Sequence, residues 1–130
     1  MAAAGDGDFD GGNTTGFVSP ADDALEGPID LSVVLDLRRP HRYPVRVPGE
    51  ALRERGIHPG DILIADAAEP PRSGRVCVAF VHGEILVATL TKGRGGWWLC
   101  PSTEGERPVS VADAAAEVWA IVVSLVRTDV

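Results

Sequence analysis

The sequence predicts a mainly β domain, a twisted and partly closed antiparallel β structure carrying one or two short helices. Three observations lead there. Short runs rich in Val, Ile and Trp recur from residue 43 to residue 126, separated by Gly, Pro and Asp. Tight-turn signals join neighbouring runs: His82-Gly83 between two of them, and Gly93-Arg94-Gly95-Gly96 between two more. With 130 residues, the chain holds one domain with one small core and a tail.

Taken in order, residues 1–15 (MAAAGDGDFDGGNTT) combine Gly, Ala and Asp with a single aromatic residue. Such a stretch cannot bury enough apolar surface to offset the entropy of ordering, and it is expected to be a mobile acidic arm. Residues 16–30 keep turn formers (Pro20, Gly27, Pro28) but add Phe17, Val18 and Leu25, the anchors of an extended segment. The β domain then occupies residues 31–130. Asp30 offers an N-cap for a helix over residues 31–37, where Leu31, Val34 and Leu35 share a face and Pro40 is a stop. A strand is the rival reading, because residues 33–35 are also an unbroken β-friendly run.

Strands are expected at 43–47, 62–66, 75–81, 84–90, 97–100 and 118–126. Between the first two lies an insert over 49–60 with a helix-like Ala-Leu-Arg-Glu-Arg stretch that Gly56 can cap. Trp97 and Trp98 alternate across a strand, so one ring belongs to the core while the other is a contact surface or exposed. The run over 118–126 is more apolar than one buried face requires. It is either a surface joining two copies or a central strand buried on both faces.

Charge and composition exclude several classes. Eight acidic residues and no Lys or Arg lie between Met1 and Leu37, whereas twelve basic residues face eleven acidic ones from Arg38 onward. Neither half offers the basic face that phosphate binding needs, so no direct nucleic-acid contact is expected. No stretch reaches the ~18–20 apolar residues of a membrane span, so no membrane contact is expected and the default is a soluble cytoplasmic protein. Cys77 and Cys100 have neither CxxC spacing nor a nearby His, and both read as reduced, buried thiols. His41, His58 and His82 sit beside Pro or Gly without metal-ligand spacing, and no metal or other cofactor is implied.

Four strings, Gly16-Phe17-Val18-Ser19-Pro20-Ala21, Gly49-Glu50-Ala51-Leu52, the run from Gly56 to Asp66 and Val87-Ala88-Thr89-Leu90, follow one another in an order that resembles the UmuD-type branch of the LexA/UmuD self-cleaving serine peptidases. Gly16-Phe17-Val18-Ser19-Pro20-Ala21 is similar to the family's Gly-Phe-Pro-Ser-Pro-Ala at the self-cleavage bond, which makes Thr15-Gly16 the equivalent of the scissile pair. Ile29-Asp30-Leu31 resembles the helix opening that follows. Gly49-Glu50-Ala51-Leu52 lies where the family has Gly-Asp-Ser-Met. Gly56-Ile57-His58-Pro59-Gly60-Asp61-Ile62-Leu63-Ile64-Ala65-Asp66 matches its Gly-Ile-x-x-Gly-Asp-x-Leu-x-x-Asp. Finally, Val87-Ala88-Thr89-Leu90 is similar to the Val-Lys-Lys-Leu that delivers the catalytic lysine. The resemblance runs from about Gly16 to Val126 and implies the LexA C-terminal, signal-peptidase-like fold.

The family's chemistry uses a serine hydroxyl as nucleophile and a neutral, desolvated lysine amine as its base. On this alignment the nucleophile position is Ala51 and the general-base position is Ala88, so no functional catalytic residue remains. Lys92 shares strand parity with Ala88, but four extended residues place it ~13 Å away. Thr89 points to the opposite face. Glu50 adjoins Ala51, but a carboxylate does not reproduce the pair.

The paired alanines fit either natural loss or deliberate replacement of a parental serine and lysine. Broader drift favours natural loss: Gly-Glu-Ala-Leu instead of Gly-Asp-Ser-Met, Pro48 before it, and Thr15 where Cys or Ala is usual. The resemblance then implies a homodimeric, non-catalytic accessory subunit or regulator of a UmuC-like Y-family translesion polymerase in the SOS response, with the RecA filament and replication proteins as further partners. Two other readings stay open: a mutated serine-lysine autopeptidase, and a binding module on the same fold outside DNA repair.

Overall fold

The computed structural model describes residues 27–50, 52–102 and 107–128. The two units into which the chain divides are Met1–Asp30 and Leu31–Val130, and every element below belongs to the second. The arm over 1–15 and most of the segment over 16–30 lie outside the described residues.

The second unit opens with a helix α1, Leu31–Val34. The helix expected over 31–37 stops after one turn because Asp36 takes a left-handed conformation (φ 54°). Asp36 N–H then donates to Val33 O and Leu37 N–H to Ser32 O, the paired bonds of a Schellman ending.

Seven strands follow: β1 (Arg42–Arg46), β2 (Ile62–Asp66), β3 (Val76–Val81), β4 (Glu84–Gly93), β5 (Gly96–Cys100), β6 (Val109–Ser110) and β7 (Glu117–Val126). They form one antiparallel sheet in the order β1-β2-β7-β3-β4-β5-β6. The expected β architecture is present, and the sheet is not closed into a barrel: β1 and β6 stand at separate edges. The two-residue β6 was not legible in the sequence, since Val109-Ser110 carries no alternation long enough to read.

Local chemistry explains the connections. His82 and Gly83 both have positive φ (52° and 79°), the primed turn that suits the twist of a two-residue hairpin. At the β4–β5 turn, Trp98 Nε1 donates to Arg94 O at 2.9 Å. The indole lies so close to Gly93 that a Cβ there would stand 3.0 Å from its ring, which accounts for glycine at that position. Strand β7 is the central strand between β2 and β3. Its register slips twice, at Val123 against β2 and at Trp119 against β3, and each bulge adds local twist. Central placement, with Val118 and Val122 packing into different clusters, accounts for the apolar run.

The edge strand β1 protects itself. His41 and Val47 bond to β2, so Arg42, Pro44 and Arg46 turn their backbone groups to the open side. Arg42 N–H is taken by Arg39 O at 3.2 Å, and Pro44 has no N–H to offer.

The core divides by sheet face. Val47, Leu52, Ile57, Leu63, Val76 and Val87 form one cluster. Cys77, Ala79, Ala88, Leu90, Leu99 and Ile121 form another, with Trp97, Val109 and Val111 packed against it. Of the tryptophan pair, Trp97 thus belongs to a core cluster and Trp98 to the β4–β5 turn.

Candidate functional site

Strand β4 carries the position that the sequence assigns to the family's lysine. Ala88 stands opposite Cys77 of β3, is 0 % exposed, and directs its methyl into the cluster of Cys77, Leu90, Leu99 and Ile121. Its neighbours Val87 and Thr89 face the other way. Val87 packs with Leu52, and Thr89 Oγ1 accepts from Arg55 Nη1 at 3.4 Å. A methyl group offers neither a lone pair nor a proton, so Ala88 supplies no acid–base chemistry.

Ala51, which the sequence resemblance assigns to the nucleophile position, lies outside the described residues, as do Thr15 and Gly16 of the cleavage-site-like pair. The residues flanking Ala51 are described. Leu52 is fully buried. Exposed Glu50 accepts from Arg53 Nε at 2.9 Å and Nη2 at 3.3 Å, and this bond holds its carboxyl below the usual range. Glu50 is therefore an ion-paired surface carboxylate rather than a base poised to take a proton. After Leu52 the expected helix-like stretch contracts to a single 3-10 turn, Arg53–Arg55. Gly56 caps it in the left-handed conformation (φ 76°), with its N–H donating to Arg53 O.

The other side chains weighed as substitutes stand elsewhere. Lys92 Nζ sits 4.8 Å from the Trp97 ring centroid, a cation–π contact at the far end of β4. Cys77 is the thiol beside Ala88, but burial pushes its pKa up to about 12, leaving no thiolate at neutral pH. His41, His58 and His82 lie in three separate turns.

The β4 edge leading to Ala88 is open among the described residues. Strand β5 pairs only with residues 89–93 and β3 takes the opposite side of β4, so the backbone groups of Ile85 and Val87 face away from β3 without a strand partner. Ile85, Leu86, Pro101 and Val109 line the cleft there. An extended chain could add to such an edge through main-chain bonds.

Two buried carboxylates, Asp61 and Asp66, stand at the two ends of strand β2, and sequence reading saw only one part of that arrangement. The Gly60-Asp61 pair reads as a turn before a strand. Gly60 has φ 87°, as that turn requires, but Asp61 does more than shape the turn. Its side chain is 3 % exposed. Arg127 Nε donates to Oδ1 at 2.7 Å and Nη2 to Oδ2 at 2.6 Å, while His58 N–H donates to Oδ2 at 2.8 Å. The Arg127 hydrogen bond, above all, lowers the Asp61 pKa to about 2 against the opposing effect of burial. Arg127 Nη2 also donates to Gly56 O at 2.7 Å, so the end of β7 is tied to both ends of the 56–61 loop. Asp66 is held similarly by Arg42 Nε at 3.0 Å and Ala68 N–H at 2.8 Å, and its pKa is lowered chiefly by Arg42. Partners 66 and 24 residues apart leave no local signal, which is why spacing could not reveal these clamps.

The profile of the family described as Peptidase S24-like matches residues 9–123. The protein SamA of Salmonella typhimurium is 37 % identical over 75 residues, which are 58 % of this chain and 54 % of SamA. ImpA of Escherichia coli is 36 % identical over 75 residues, 58 % of this chain and 52 % of ImpA. The LexA repressor of Azoarcus sp. is 34 % identical over 89 residues, 67 % of this chain and 44 % of the repressor. The chain spans about half the length of the curated relatives it matches.

Proposed function

Because this chain belongs to the Peptidase S24-like family, we propose that it is a UmuD-like member that has lost peptidase activity and works by binding. In this reading residues 1–15 are an acidic arm, residues 16–30 an extended cleavage-site-like segment, and residues 31–130 the domain that binds. Two copies form a dimer that serves as accessory subunit or regulator of a UmuC-type Y-family translesion polymerase, in the cytoplasm, during the SOS response. The RecA filament and replication proteins are further contacts. The partner follows from the resemblance to UmuD-type proteins.

The observation that supports loss of catalysis is the burial of the Ala88 methyl against Cys77, Leu90, Leu99 and Ile121, at the position where the family presents its base. Ala51 at the nucleophile position removes the other half of the chemistry. A chain that cannot cut itself keeps its arm, so its interactions are those of the uncut form. No helix among the described residues is long and apolar enough to cross a membrane.

Mixing the purified chain with a UmuC-type polymerase from the same genome, and measuring the mass of the eluted species by light scattering, tests the reading. A complex of two copies with one polymerase is expected. A chain that stays monomeric and elutes apart from the polymerase would contradict it.

A further inference from the structure

The cleft beside the Gly60-Asp61 turn is lined by Arg46, His58, Pro59, Gly60, Asp61, Arg127 and Thr128. Its one carboxylate already accepts three hydrogen bonds: both Asp61 oxygens accept from Arg127, and Oδ2 also accepts from His58 N–H. The donors around it are not all taken. Arg127 uses Nε and Nη2 on Asp61 and Gly56, which leaves Nη1 without a protein partner among the described residues. Arg46 uses Nη1 on Gly60 O at 3.0 Å, leaving Nε and Nη2. The His58 ring and the Thr128 hydroxyl complete a lining in which hydrogen-bond donors outnumber free acceptors.

Two guanidinium groups against one carboxylate also leave the cleft with a positive formal charge, in a chain whose net charge is −7. Attraction of an anion must therefore come from this spot and not from the general field of the protein. Each guanidinium is held by a bond to the protein, Arg127 by Asp61 and Arg46 by Gly60 O, so little side-chain freedom remains to be lost on binding.

We propose that this cleft binds a phosphate group, held between Arg46 and Arg127 with His58 and Thr128 as further donors. A carboxylate is satisfied by the one free fork, Arg46 Nε and Nη2, whereas a tetrahedral phosphate has further oxygens to accept from Arg127 Nη1 as well. The site is independent of the peptidase positions, and of whether the chain binds a polymerase.

The test is a titration of the full chain with inorganic phosphate at constant ionic strength, followed by the backbone amide and arginine Nε resonances of the ¹⁵N-labelled protein. Sodium chloride and sodium acetate serve as parallel titrants. Saturable shifts centred on Arg46, His58, Gly60 and Thr128 with phosphate, and at least about tenfold weaker binding of acetate, are expected for charge-assisted bonds from both guanidinium groups. Arg46→Gln, at an exposed position, keeps the fold and should weaken phosphate by about tenfold or more. Equal responses to chloride and phosphate, or an unchanged affinity in Arg46→Gln, would overturn the assignment. So would phosphate binding that emerges only when Asp129 and Val130 are removed, because the cleft would then serve the chain's own acidic end.

Discussion

Placing a lysine at Ala88 tests both the burial of this position and its assignment. Ala88→Lys adds four heavy atoms to a side chain that is 0 % exposed and enclosed by Cys77, Leu90, Leu99 and Ile121. Overpacking of a formed core costs about 1–3 kcal/mol. The amine adds a second cost, because a fully buried lysine holds its pKa several units below the ordinary ~10.4. Each unit of that depression destabilises the fold by about 1.4 kcal/mol where both states would otherwise be protonated. The sign follows from the unfolded chain binding the proton more tightly. The penalty is complete below the folded-state pKa, shrinks as pH rises through the interval up to ~10.4, and vanishes above it. At pH 7 the two costs together reach about 5–8 kcal/mol, comparable with the whole stability of a small domain. Ala88→Met has similar length and no charge, and it isolates the packing part.

Urea unfolding followed by tryptophan fluorescence, at pH 7 and pH 10, provides the assay. The lysine variant should be much less stable than the methionine variant at pH 7 and approach it at pH 10. A lysine variant as stable as the parent at pH 7, with no dependence on pH, would refute the burial of Ala88 and the reasoning built on it.

Three other outcomes follow from the same contacts. Leu52→Ala, in the cluster of Val47, Ile57, Leu63 and Val87, should cost about 2–5 kcal/mol in urea unfolding; a loss under ~1 kcal/mol would show that this turn does not pack on the sheet. Asp61 has a pKa near 2 in the fold, so the stability it contributes is present above its ordinary value of 3.8 and is lost as pH falls toward 2. Asp61→Asn should therefore flatten the acid limb of a stability-against-pH curve, and an unchanged limb would disprove the clamp. Cys77, with its thiol raised to about 12, should resist a disulfide reagent at pH 8 until the chain unfolds, and rapid labelling of Cys77 in the folded protein would contradict its burial.

The elements legible in the sequence are those coded locally. Strand β2 reads as residues 62–66 because a short apolar run follows directly on the Gly60 turn. Gly56 and Gly83 marked a cap and a hairpin for the same reason, since a positive φ leaves its trace in the residue type. The helix over 31–37 was read too long because Asp36, not a glycine, takes the left-handed position. Strand β4 was read three residues short: Thr91, Lys92 and Gly93 look polar and turn-like, and only pairing with β5 extends the strand through them. At the candidate site, the resemblance pointed to Ala51 and Ala88 by local motifs. What the sequence could not supply was the partner of Asp61, because Arg127 is brought there by the central position of β7 and not by any local pattern.

On the proposed function, this chain keeps the peptidase-family fold without cutting itself. Incubating the purified protein at alkaline pH, where a family lysine would be neutral, and reading intact mass beside the double variant Ala51→Ser with Ala88→Lys, tests it most directly. The protein with its own residues is expected to stay whole while the double variant is cut between Thr15 and Gly16. A cut at that bond in the unaltered chain would contradict it.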